Sequence, residues 1–144
     1  MPDVIIRKAQ LDDAAILVEL SRQLGYPATV AEILKRLETI LSQFDQQVLI
    51  AEIYGRVVGW VHTFTAYRVE SSPFAEIGGL VVDQSFRGKG IGLELVSQSR
   101  QWARDQGLGQ IRVRSNVTRE AAHRFYQRIG FEQSKTSIVF SMQI

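Results

Sequence analysis

The 144-residue chain contains no cysteine, which excludes disulfide staples, thiolate nucleophiles and cysteine metal sites. Its two histidines, His62 and His123, are far apart and not in ligand spacing, so no metal site is expected. No uninterrupted apolar run approaches the ~20 residues needed to span a bilayer. The opening MPDVIIRKAQ also lacks the pattern of a signal peptide. A soluble, cytoplasmic protein without a membrane partner is the expectation. Internal repeats, low-complexity segments and linkers are missing too. With 45% hydrophobic residues, the chain fits one compact domain, 1–144, with a sizeable core.

The net charge is only +2, although Arg87, Lys89, Arg100, Arg104, Arg112, Arg114, Arg119, Arg124 and Arg128 all fall in the second half. These cations suit a solvated face or a diffuse field that attracts anionic ligands. No recognition helix or aromatic stacking motif accompanies them, so nucleic acid is not an expected partner.

Periodicity lays out the elements. Val4 to Arg7 is a short strand. Asp12 and Asp13 then open a helix carrying Ala14, Leu17, Leu20 and Leu24 at helical spacing, with Gly25 as its stop. Thr29 and Glu32 form a Thr-x-x-Glu capping box before a second helix with the stripe Ile33, Leu34, Leu37, Ile40, Leu41 and Phe44. Val48 to Tyr54 and Val57 to Tyr67 read as a hairpin about Gly55-Arg56, with Trp60 and Phe64 in the core. Phe74 to Val82 is a further strand. Gly78-Gly79 in its middle marks a bulge or a close approach by something else.

Gly90 to Gln106 is the longest helix of the second half, with Leu95, Ser99, Trp102 and Ala103 on one face and Gly107 as its stop. Ile111 and Val113 form the next strand, parallel to the one around Leu80 through a right-handed crossover. Thr118 or Asn116 caps a last helix, Arg119 to Ile129, whose Ala122, Phe125 and Ile129 face the core. Gly130 ends it, and Phe131 to Met142 supplies one or two closing strands.

The stretch LVVDQSFRGKGIG, Leu80 to Gly92, organises the rest. A strand runs into a loop with Gly88, Gly90 and Gly92 beside Arg87 and Lys89, then into a helix. The first amides of a helix lack intrahelical partners and sit at its positive pole, so this loop is built to cradle an anion. A nucleoside-triphosphate loop needs Ser or Thr after Gly-Lys, but Lys89 is followed by Gly90. The dinucleotide fingerprint needs a sixth-position glycine, but counting from Gly88 that position is Leu93. The strand that follows ends in Ser115-Asn116 without the acidic residue that would hold a ribose.

What remains is R-x-x-G-x-G, met by Arg87, Gly90 and Gly92, and here the chain resembles the GCN5-related N-acetyltransferases (GNAT). The opening Arg7-Lys8-Ala9, two early helices, Val58-Gly59-Trp60, the Leu80-Val81-Val82 strand, the glycine loop, Asn116, Phe125-Tyr126 and Gly130-Phe131 follow the family's order over nearly the whole chain. The resemblance implies an α+β, single-domain GNAT-like fold: a mixed twisted sheet of about six to seven strands with helices on both faces. It implies acetyl-CoA as cosubstrate and transfer of the acetyl group to a primary amine by direct attack in a ternary complex. Without cysteine, no acetyl-cysteine intermediate can form on the enzyme. A non-catalytic acyl-CoA-binding or sensing module on the same fold is the alternative.

The same resemblance assigns roles. The pyrophosphate would lie on Arg87, Gly88, Lys89, Gly90, Ile91 and Gly92. The pantetheine arm would pair with the backbone of Leu80, Val81 and Val82 as a strand would, with the Val82 amide polarising the thioester carbonyl. Asn116 would hydrogen-bond the pantetheine, and Arg119 would meet the phosphates. Tyr126 would protonate the leaving thiolate, a phenol near ~10 being suited to a thiol near ~8.5. Glu76 precedes the loop on the same strand, and two-residue alternation places it on the pleat face of Leu80, as a base toward the alkylammonium or as a solvated carboxylate. His62 and His123 read as structural or surface residues. A small-molecule or peptide amine is the acceptor class, and a homodimer through the C-terminal strands is possible.

Overall fold

The structure, a computed structural model, describes residues 3–144. Its contacts divide the chain into two compact units, one ending at Val113 and the other Arg114–Ile144.

The first unit holds a five-stranded sheet in the order β1-β2-β3-β4-β5: β1 Ile5–Lys8, β2 Gln46–Ile53, β3 Arg56–Arg68, β4 Ser71–Val82 and β5 Ile111–Val113. Neighbours are antiparallel except β4 and β5, which run parallel because a helix connects them. The sheet is mixed, as expected. The hairpin between β2 and β3 turns at Tyr54 and Gly55, both at positive φ (51° and 76°), the two-residue geometry that matches strand twist.

Three helices cover this sheet: α1 Ala14–Leu24, α2 Val30–Leu41 and α3 Ile91–Asp105. Thr29 and Glu32 close the expected capping box, with Oγ1 accepting from Glu32 N at 3.1 Å and Oε1 from Thr29 N at 2.9 Å. Leu17 and Leu37 join Ala9, Ala14, Val48 and Ile50 in one buried cluster, against which Ile33, Leu34, Ile40 and Trp60 pack. Each such side chain taken from water contributes about 1.5–3 kcal/mol. The α2 stripe is shorter than its sequence period, because Phe44 lies beyond the helix end and is 83% exposed.

On the other face, Leu95, Val96, Ser99 and Ala103 of α3 are buried. Thr63 Oγ1 donates to Ser99 Oγ at 3.0 Å, and Ser99 donates to the Leu95 carbonyl, so this buried polar pair is satisfied. At the sheet margin Arg7 donates to both carboxylate oxygens of Asp13 and to Glu52, tying β1 to β2 and to the turn before α1.

Residues Gly78-Gly79 mark a true bulge. Pairing runs Phe64 with Glu76 and Thr63 with Ile77, then jumps to His62 with Gly79 and Val61 with Leu80. A Cβ on Gly78 would stand 3.0 Å from the Phe64 ring and 3.2 Å from His62 Nδ1, and one on Gly79 would stand 2.6 Å from the Trp60 ring. The close approach is made by the chain's own aromatic row on β3.

The second unit contains α4, Glu120–Arg128. Its apolar residues Ala122, Phe125 and Ile129 are half-buried rather than buried. Neither Thr118 nor Asn116 caps it. The N-cap is Arg119 without a side-chain bond, while Asn116 Oδ1 accepts from Thr118 N at 3.0 Å and Oγ1 at 2.8 Å, shaping the preceding turn. The expected closing strands are absent: residues 131–144 adopt neither helix nor strand, and Ile138, Phe140, Met142 and Ile144 are exposed. Strand-like composition supplies no ladder partner, and a strand exists only as half of a ladder. The count is therefore five strands among the described residues, not six or seven.

Candidate active site

The glycine loop has the geometry that its composition demands. Gly88 and Gly90 sit at φ 78° and 83°, where an L side chain is strained. Gly90 is the N-cap of α3 with no side-chain cap, and the first intrahelical bond is Glu94 N to the Gly90 carbonyl at 3.1 Å. The amides of Ile91, Gly92 and Leu93 therefore lack intrahelical acceptors. Ile91 is 2% exposed, so its side chain serves the core and only its N–H is offered outward.

The loop is braced from both sides. Arg87 Nε donates to the Val82 carbonyl at 3.1 Å, folding the loop back on the end of β4. Gln23 of α1 accepts from Gln84 N at 3.0 Å. Arg56 and Lys89 lie over the Phe86 ring at 5.1 and 5.3 Å from its centroid. Lys89, Gly88 and Gly90 are exposed, leaving positive charge at the helix start.

Beside the loop, β4 runs on past the end of β5. Their pairing covers Ala75 to Ile77 only, and beyond it β4 has no strand partner on that edge among the described residues. Asp83 N bonds the Val58 carbonyl across β3 at 2.7 Å. Alternation along the strand therefore turns the amides of Leu80 and Val82 to the opposite edge, into the gap. Val81 is buried, with its side chain on the Trp60 face. An amide-rich arm can pair with this open edge.

Glu76 does not share the face of Leu80. It pairs with Phe64, whereas Leu80 pairs with Val61, and the extra residue at the bulge reverses the alternation. Glu76 thus projects on the face of Trp60, His62 and Phe64, away from α3. Its carboxylate lies 3.9 Å from Arg68, with only 14% of its side chain exposed.

In the second unit the Phe-Tyr…Gly-Phe pattern has a local cause. Gly130 at φ 112° donates to the Gln127 carbonyl, and Phe131 N donates to the Tyr126 carbonyl at 2.9 Å, a Schellman ending of α4. This sets the Phe131 ring 5.5 Å from that of Tyr126, edge-on, with Phe125 at 5.2 Å. Burial pushes the Tyr126 phenol above its usual range, and the Arg119 charge pulls weakly the other way. Asn116 and Arg119 belong to the turn before this helix, where Arg119 N bonds the Asn116 carbonyl.

A cavity of about 540 Å³ in the first unit is lined by Phe44, Tyr67, Pro73 and Gly107 among others. It lies at the C-terminal end of α3, a helix about 22 Å long, and so at the opposite end from the glycine loop. Among the described residues no helix is long and apolar enough to cross a membrane, and no cluster of metal-ligating side chains occurs.

Residues 15–131 match the model of the Acetyltransferase (GNAT) family. The chain therefore belongs to this family, whose members are N-acetyltransferases that use acetyl-CoA as cosubstrate. It is 28% identical to an aminoglycoside N(6')-acetyltransferase type 1 of Stenotrophomonas maltophilia, over 96% of this chain and 93% of that protein. It is 29% identical to an uncharacterised N-acetyltransferase of Methanocaldococcus jannaschii over 67% of this chain, but the match spans only 43% of that protein's length. In fold it is similar to the aminoglycoside N-acetyltransferase AAC(6')-Iy in complex with CoA, with a TM-score of 0.90, 21% identity, and 100% of this chain and 97% of that one covered.

Proposed function

We propose that residues 1–144 act in the cytoplasm as one N-acetyltransferase domain. The acetyl group passes from acetyl-CoA to a primary amine by direct attack in a ternary complex. The observation that carries this reading is the edge of β4 beyond Ile77, without a strand partner among the described residues, beside an uncapped, glycine-started helix. The first feature offers the Leu80 and Val82 amides to a pantetheine arm, and the second offers helix amides and Lys89 to a diphosphate. The Val82 amide polarises the thioester carbonyl, Glu76 takes a proton from the ammonium directly or through water, and Tyr126 returns one to the thiolate.

The acceptor is a small polar primary amine, and an aminoglycoside-like polyamine is favoured by the name of the Stenotrophomonas relative. The apolar alternation of Ile138, Phe140, Met142 and Ile144, all exposed, supports a second copy of the chain as a further partner, read by light scattering. The test of function is thiol release from acetyl-CoA with a panel of aminoglycosides, linear polyamines, amino acids and peptides. Turnover with at least one amine, with intersecting initial-velocity lines, is expected; no turnover with any of them contradicts the reading.

A further inference from the structure

The acetyl-transfer reading leaves open what holds the reacting nitrogen. A chain of hydrogen bonds settles the protonation pattern of one nearby ring. Gln43 Nε2 donates to the Thr39 carbonyl at 3.2 Å, an atom that only accepts. The Gln43 amide oxygen is thereby the group that receives Gln46 Nε2 at 2.8 Å. The remaining oxygen of Gln46, 2.8 Å from His62 Nε2, then requires a donor, so Nε2 carries the hydrogen. Burial pushes the His62 imidazolium pKa down, which keeps the ring neutral. Nδ1 is left as a bare lone pair.

That lone pair has a defined outlook. Nδ1 lies 3.2 Å from the point where a Cβ on Gly78 would stand, and Gly78 is exposed and carries none. The Phe64 ring closes one side, with its centroid 5.5 Å from that of His62. No protein partner of Nδ1 occurs among the described residues. His62 and Glu76 share one sheet face, because Phe64 and Glu76 pair directly and His62 is two residues from Phe64. The opposite face is covered by α3, whereas on the face of His62 the strand is exposed at Gly78, so an amine reaching a thioester in the gap of β4 comes from the face of His62.

We propose that His62 Nδ1 accepts a hydrogen bond from the reacting nitrogen of the acceptor amine. His62 is thus an acceptor-binding residue on the same face as Glu76, with its tautomer fixed by Gln46, Gln43 and the Thr39 carbonyl. The bulge glycine keeps the approach to it clear. This rests on the acetyl-transfer reading, and the experiment below separates the two.

Two substitutions divide the ring's functions. His62→Asn keeps an acceptor atom close to the Nδ1 position, and His62→Gln keeps a donor close to Nε2 for Gln46. For an amine turned over by the wild type, His62→Gln is expected to lower kcat/KM for the amine by about 10-fold to 100-fold, the range of a hydrogen bond to a charged group. His62→Asn retains most of it, and the KM for acetyl-CoA is unchanged in both. Gly78→Ala, which leaves the ring intact but sets a methyl against Nδ1, should raise the amine KM. Values for all three within two-fold of wild type, or a loss in Asn with retention in Gln, would overturn the assignment.

Imidazole ¹⁵N resonances give a readout that needs no turnover. Nε2 is expected to be the protonated nitrogen, and Nδ1 the resonance that moves when amine is added to protein saturated with CoA. A protonated Nδ1, or an Nδ1 unmoved by every amine of the panel, overturns the proposal. If the wild type acetylates nothing yet Nδ1 still responds to amine, transfer fails as a reading and the binding role of His62 stands.

Discussion

Glu76 and Leu80 stand four residues apart on β4, yet their side chains project from opposite faces of the sheet. One inserted residue at Gly78-Gly79 produces this. It moves the carboxylate off the α3 face and onto that of the β3 aromatic row, and it does so without a break in the strand. The bulge is also where the strand has no room for a side chain.

Gly79→Ala would place its Cβ 2.6 and 2.8 Å from two atoms of the Trp60 ring. Relief requires Trp60 or the strand to shift, and overpacking of this kind costs about 1–3 kcal/mol. A lowered urea midpoint with an unchanged m-value is expected. An unchanged midpoint would mean that Trp60 yields freely.

At Gly90 a methyl group meets nothing within 4 Å, so only the backbone objects, at φ 83°. An L residue in that region costs about 1–2 kcal/mol, which moves the loop or distorts the helix start. Calorimetry on Gly90→Ala should show acetyl-CoA bound about 10-fold more weakly or worse. Wild-type affinity in this variant would remove the loop from the binding site.

Tyr126→Phe deletes the proposed acid while retaining the ring stack with Phe125 and Phe131. Turnover should fall about 10²-fold or more, with the acetyl-CoA dissociation constant unchanged. Because burial raises the phenol above its usual ~10, the alkaline limb of the wild-type kcat profile should lie beyond that value and be lost in the variant. Equal kcat in the two proteins removes Tyr126 from the role.

Asp13 accepts two bonds from Arg7 and one from Gln10 N at 2.7 Å, which hold its carboxyl below the usual carboxylate range. A depressed folded value stabilises the fold fully above the unfolded value near ~3.9 and loses that contribution as the pH falls through the folded one. Asp13→Asn should therefore cost about 1.5–3 kcal/mol at pH 7 and progressively less on acidification below pH ~4. Urea titrations of both proteins at pH 7 and pH 2.5 check this, and a difference that does not shrink contradicts it.

Local rules were legible in the chain wherever a single residue decides the outcome. The Thr29–Glu32 box, the stops at Gly25 and Gly107 and the left-handed Gly90 all do what their chemistry requires alone. The glycine loop belongs to this group, since the left-handed turns at Gly88 and Gly90 follow from the residues themselves. Features that depend on a second strand were not legible. The face of Glu76 depends on a register jump opposite His62 and Thr63. The role of His62 depends on side chains from Thr39, Gln43 and Gln46, although its alternation with Trp60 and Phe64 was there to be read. Residues 131–144 have the composition of strands, but composition does not provide the neighbour they would pair with.

The most direct measurement is a titration of the ¹⁵N-labelled protein with CoA, read at backbone amides. If the diphosphate sits on the start of α3 and the pantetheine in the gap of β4, the Leu80, Val82, Ile91, Gly92 and Leu93 amides shift together with one dissociation constant. Absence of binding, or shifts confined to the cavity around Phe44, Tyr67 and Gly107, would contradict the proposed site.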